Sequence, residues 1–141
     1  MSCLKFSLLF GLIFLACFSA HAQPIDTLWT RHYIGGASLY GRTMIQTTDG
    51  GFLLVGSRDI DGMLFVDVLV IKTNSNGDTL WTRAFHSDSG SFCSAMFEVE
   101  NGYVLAGSTW HQSDDTTYVS NGWLFKIGSN GNTLESCFYR G

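Results

Sequence analysis

The chain has 141 residues, of which 45% are hydrophobic, 14% aromatic and only 14% charged, with 16 glycines and one proline. That length allows one small domain or part of a larger one. The composition excludes a disordered tail and a coiled coil, and it suits β-structure with many tight turns. The formal net charge is −4 and the basic residues stand singly along the sequence. No basic stretch is available to follow a phosphate backbone or an anionic membrane surface, so nucleic acid and charged lipid are not expected partners.

Residues 1–22 read as a secretory signal peptide. Lys5 supplies the positive n-region, Phe6–Ala20 is an apolar run, and Ala20-His21-Ala22 is an A-x-A cleavage site before Gln23. The 15-residue run is short of the roughly 20 residues that span a bilayer as a helix. Two other readings stay open: an N-terminal anchor, and a lipobox ending at Leu15-Ala16-Cys17. The expected location is secreted or cell-envelope, with no membrane span in the mature chain. Cleavage leaves seven basic against twelve acidic side chains, and two of the four cysteines, Cys93 and Cys137. An export compartment permits a disulfide between them, and two separate thiols is the other reading. Their spacing fits no zinc pattern.

The mature chain repeats itself. Asp26-Thr27-Leu28-Trp29-Thr30-Arg31 returns intact as Asp78-Thr79-Leu80-Trp81-Thr82-Arg83, 52 residues later. It returns in weaker form as Asn132-Thr133-Leu134-Glu135-Ser136-Cys137. Between the copies, Asp49-Gly50-Gly51-Phe52 through Gly56-Ser57 matches Glu100-Asn101-Gly102-Tyr103 through Gly107-Ser108. Val68 to Lys72 followed by Asn76-Gly77 likewise matches Gly122 to Lys126 followed by Asn130-Gly131.

Each unit reads as four short strands: 27–33, 43–47, 52–57 and 65–73, then 79–85, 92–99, 103–109 and 122–127. The Val66–Ile71 run, broken only by Asp67, predicts a strand covered on both faces. Asp-Gly and Asn-Gly pairs supply the tight turns. Residues 35–41 read as a flexible connection. The stretches 57–65 and 110–121 read as longer variable loops. No helix is expected after the signal segment.

Four strands in about 52 residues is the arithmetic of a propeller blade, whose sheet needs neighbours on both faces. The pattern D-G-G-[FY]-x-[LV]-x-G-S, then a hydrophobic strand ending in Lys, then N-G-[DN]-T-L-W resembles secreted β-propeller repeat proteins common in Bacteroidetes and related bacteria. Many of those are long and end in a type IX secretion sorting domain. The resemblance covers Asp26 to Tyr139. It implies an all-β chain of propeller-type four-stranded antiparallel blades: blade one at 23–77, blade two at 78–131, and the first strand of an incomplete third at 132–141. It carries over no catalytic residue, because the repeat residues map to turns and blade cores. A closed propeller takes roughly four to eight blades. The expectation is therefore an N-terminal piece of a longer protein, with a ring of several copies or a degenerate stand-alone piece as alternatives.

Candidate chemistry is sparse. His86-Ser87-Asp88-Ser89 assembles triad residue types but lacks a nucleophile elbow and reads as a polar loop. Asp59-Ile60-Asp61-Gly62 hints at a calcium loop but does not continue as an EF-hand. His32, His86 and His111 hold no ligand spacing. Trp110 and His111, with Asp114 and Asp115, form the candidate ligand-contact loop, because an exposed tryptophan beside polar groups suits stacking on a sugar. No catalytic residue, cofactor or metal is expected. The function expected is a non-catalytic binding scaffold for a protein or carbohydrate. The alternative is the first blades of a secreted hydrolase or lyase acting on polysaccharide or peptide.

Overall fold

The computed structural model describes residues 28–33, 38–59, 66–86, 90–113 and 117–140. The signal segment 1–22 lies outside them. The described chain contains β1 (Ser38–Gln46), β2 (Phe52–Asp59), β3 (Val66–Thr73) and β4 (Thr79–Phe85), then β5 (Gly90–Val99), β6 (Gly102–Gln112), β7 (Tyr118–Gly128) and β8 (Thr133–Arg140). They form two four-stranded antiparallel meanders, β1-β2-β3-β4 (sheet one) and β5-β6-β7-β8 (sheet two). No helix occurs among the described residues.

The two sheets match in detail. The first hairpin of each carries a register shift at the corresponding place, between Gly41 and Thr43 in β1 and between Cys93 and Ala95 in β5. The last pair of each does the same, at Lys72/Thr73 and at Lys126/Ile127. Short turns close one end. Asn74 shows how: its Oδ1 accepts from the N–H groups of Asn76 and Asp78, an Asx turn that carries the chain into Gly77 at φ 78°, a value glycine adopts without penalty.

Period-two alternation decides which side chains enter the core. Leu53 and Val55 on β2, with Val68 and Val70 on β3, point from sheet one toward sheet two. Met96, Tyr103, Leu105, Trp123 and Ile127 point back at them, and all nine are buried. Each such side chain contributes about 1.5–3 kcal/mol by leaving water. An aromatic chain extends the contact, with Phe85 at 5.8 Å from Phe125 and Phe125 stacked at 4.7 Å on Trp123. Asp67, read above as a break in an apolar run, is buried with that strand.

The sequence repeat and the sheets are offset by one strand. Trp81-Thr82-Arg83 does not open sheet two; it lies in β4 and closes sheet one. Residues 132–140, assigned above to an incomplete third unit, form β8 and close sheet two. The sheets therefore occupy 38–85 and 90–140. The first copy of the motif, Leu28–Tyr33, takes no strand conformation. Two connections also differ from expectation. Ser38–Gly41 is strand, and β6 and β7 extend the second hairpin of sheet two so that only residues 113–117 join them.

What the repeated Trp-Thr-Arg segment does explains the offset. Trp81 on β4 reaches across to the last turn of sheet two. Its indole N–H donates to the Ser129 carbonyl at 2.9 Å, and its ring lies 6.4 Å from Tyr103. Arg83 donates to the Asn130 carbonyl at 3.1 Å. Both side chains lie so close over Gly131 that a Cβ there would stand 2.8 Å from Arg83 and 2.9 Å from Trp81. Trp29 and Arg31 do the same on sheet one: they cover Gly77, Trp29 lies edge-on to Phe52 at 5.7 Å, and Arg31 pairs with Asp78 at 3.1 Å. Each Trp-x-Arg is a clasp on the last turn of the sheet that follows it.

Candidate functional site

Antiparallel order places the connections 60–65, 87–89 and 113–117 at one end of the sheets and the short turns at the other. The long-connection end holds a polar cluster built on a buried carboxylate. Asp67 is 3% exposed. One of its oxygens accepts from Arg58 at 2.8 Å, and the other lies 2.7 Å from Nδ1 of His86, whose side chain is 67% exposed. A buried carboxylate is tolerable only when it is paired in this way. The cluster ties β2, β3 and the end of β4 together, and it orients an imidazole toward solvent. Asp59 ends β2 nearby, with one carboxyl oxygen out of water and no partner among the described residues.

His86 is thus brought together with Asp67; its sequence neighbours Ser87, Asp88 and Ser89 lie outside the described residues. The sequence did carry a signal for this pair: a lone Asp inside an apolar run must find a cation or donor, and Arg58 faces it in register. His32 lines a hollow with Tyr33, Arg58 and Leu69.

Trp110 is on β6 and packs 5.7 Å from Tyr118. Its ring also covers Gly90, where a Cβ would stand 2.4 Å away. It is half-buried, a packed anchor of the long hairpin with part of its surface open. Tyr118 beside it is exposed. Asp114, Asp115 and the His111 side chain lie outside the described residues. Among the described residues no group of three His, Cys, Asp or Glu side chains could hold a metal ion.

Cys93 and Cys137 are free thiols. They sit on β5 and β8, the two edges of sheet two. Three interstrand steps of about 4.8 Å separate those edges, against a Cα separation of at most about 7 Å for a bridge. One chain cannot join them without dismantling the sheet. Burial pushes the Cys93 thiol up to about 11, so it stays protonated and inert.

At the short-turn end, Lys72 is buried and its ammonium meets both oxygens of Asp49, at 2.8 and 3.0 Å. The Lys72 hydrogen bond, then those from Thr47 and the Gly51 N–H, hold the Asp49 carboxyl at about 2. Glu98 of β5 accepts twice from Thr48, at 2.7 and 2.9 Å, and fastens the two sheets at that end.

The remaining feature is the outer face of sheet one. Leu54, Gly56, Leu69 and Ile71 form its floor, with Leu39 at one side and Tyr33 standing in the middle. Two adjoining hollows of about 220 Å³ each lie on either side of Tyr33. Composition and periodicity did not reveal this groove, because its residues alternate like any strand face and only the packing leaves Leu54, Gly56 and Ile71 half-buried.

No protein family, curated protein or solved structure matches the chain. No helix among the described residues is long and apolar enough to cross a membrane.

Proposed function

We propose that the chain is an exported, non-catalytic scaffold built from propeller-type blades, which binds a protein or carbohydrate through the connections at its long-loop end. Directional packing is the observation that carries this. The Leu53–Val70 face of sheet one covers the Leu105–Trp123 face of sheet two, and the Trp-x-Arg clasp is used in the same sense on both sheets. That arrangement suits units that stack in series and display their connections at a common end. The Trp110–Tyr118 pair and the Asp67–His86 pair stand at that end as contact groups.

Two measurements test the reading. A reporter fused behind residues 1–25 should leave the cytoplasm, with cleavage after Ala22; retention in the cytoplasm refutes export. The chain should bind members of a glycan or peptide panel, with affinity falling about tenfold in Trp110→Ala or Tyr118→Ala. Binding unaffected by both substitutions refutes the assigned surface.

The Asp67–His86 pair favours one second reading, a secreted hydrolase or lyase. A carboxylate that orients an imidazole is a component of acid–base catalysis. Turnover of glycoside or peptide reporters that is lost in His86→Ala, with the fold retained, would replace the scaffold reading.

A further inference from the structure

Resting on the blade-scaffold reading, we propose that the outer faces of the two sheets are the two halves of one interface, and that its occupant is a second copy of this chain stacked head to tail. The interface already built inside the chain is the template. By register, Met44 and Leu54 on sheet one correspond to Met96 and Leu105 on sheet two. Met96 is 7% exposed beneath the cover of sheet one, whereas Met44 is 60% exposed. The outer face of sheet one is a covered-type face that only the Leu28–Tyr33 segment partly covers. The converse holds on sheet two. Phe97 and Val104 correspond to Ile45 and Leu53, which do the covering. Leu53 is fully buried, while Phe97 is 51% exposed and Val104 half-buried. The outer face of sheet two is a cover without its target.

Because the paired faces differ, the contact is heterologous, and copies add in one direction until a ring closes or a filament grows. One segment regulates the fit. Leu28–Tyr33 grips the Gly77 turn, which is where β8 of an incoming copy must lie. β8 carries Glu135 and Cys137 where the clasp has Trp and Arg, so it brings no grip of its own to displace the segment. Loosening Trp29 therefore favours assembly.

The test is light scattering and sedimentation of the exported chain over a concentration series, with circular dichroism to report the fold. Wild type should rise in mass with concentration to a ring of several copies, or form filaments. Met44→Lys and Phe97→Lys change exposed side chains, so both should fold. Each alone should raise the concentration needed for assembly at least tenfold. Mixed one to one they should give a dimer, since one intact pair of faces remains. Trp29→Ala should lower the concentration needed.

A folded β-sheet monomer at every concentration overturns the interface and leaves the scaffold reading standing. So does assembly that neither lysine affects, or a mixture that stays monomeric. A wild-type chain without β-sheet signal removes both.

Discussion

The clasp offers one repeat position in three contexts, and the three should behave differently. Trp81 is half-buried, donates one hydrogen bond to Ser129 and packs against Tyr103 and Gly131. Truncating a fully buried tryptophan to alanine costs about 3–5 kcal/mol. Scaling for half burial and adding about 1 kcal/mol for the hydrogen bond puts Trp81→Ala at about 2–3 kcal/mol. For a chain of this size, that lowers the melting temperature by roughly 8–12 °C. Trp29 is 39% exposed and belongs to a segment without strand pairing, so Trp29→Ala should cost about 1 kcal/mol. Glu135 takes the same repeat position on β8 and is exposed, so Glu135→Ala should fall within about 0.5 kcal/mol of wild type. Thermal and urea unfolding followed by circular dichroism read all three, at a protein concentration below assembly. The order Trp81, Trp29, Glu135 is the content of the argument. If Glu135→Ala destabilises as much as Trp81→Ala, the clasp is not what joins the sheets.

Other substitutions probe separate links. The Asp49 carboxyl titrates near 2 in the folded chain against an ordinary 3.8. Its contribution is therefore complete above about pH 4 and drains away as pH falls toward 2. More than half of that carboxyl is in water, which holds its worth to about 1 kcal/mol. Stability against pH should lose this acid limb in Asp49→Asn, and an unchanged curve would refute the pairing with Lys72. Gly50 and Gly131 share a φ near 80°, but only Gly131 lies beneath a clasp. Gly50→Ala should cost about 1–2 kcal/mol for conformation alone, and Gly131→Ala at least another 1 kcal/mol for the displaced ring; equal costs would argue against close contact. A thiol reagent at pH 8 should modify Cys137 in the native chain and Cys93 only after unfolding. A disulfide-linked monomer on non-reducing analysis would contradict the strand order.

The all-β architecture was legible because alternation, Asp-Gly and Asn-Gly turns and a repeated block all point the same way. All eight strands were anticipated in outline, a ninth expected at 27–33 takes no strand conformation over 28–33, and the hairpin turns fell where the glycines stand. The phase of the sheets was not legible. A repeat in sequence defines a period and leaves open where one sheet ends. The hexapeptide block that starts each sequence unit ends each sheet, because Lys72 pairs with Trp81 across β3 and β4. The candidate site shows the same limit. Trp110 was singled out for its exposure, yet it is partly covered by Tyr118 and the Gly90 backbone. Asp67 was passed over as a blemish in an apolar run, yet it organises the polar cluster. Register decides both cases, and register is a property of two strands.

The offset also bears on how the sheets unfold. Were sequence units and sheets in phase, only the connecting segment and the apolar core would join one sheet to the next. With the offset, β4 is hydrogen-bonded to β3 and at the same time grips the turn between β7 and β8 through Trp81 and Arg83. Glu98 adds a tie from β5 back to Thr48. Sheet two therefore cannot open at its last turn without disturbing the outer strand of sheet one. In a stack of units whose stability is a sum of unit and neighbour terms, this raises the neighbour term relative to the unit term. The chain should unfold as one cooperative transition, with the same midpoint by tryptophan fluorescence and by far-ultraviolet circular dichroism. Trp81→Ala weakens the neighbour term selectively and should separate the two midpoints. If the midpoints stay together in that variant while stability falls, the core alone couples the sheets and the clasp merely adds to it.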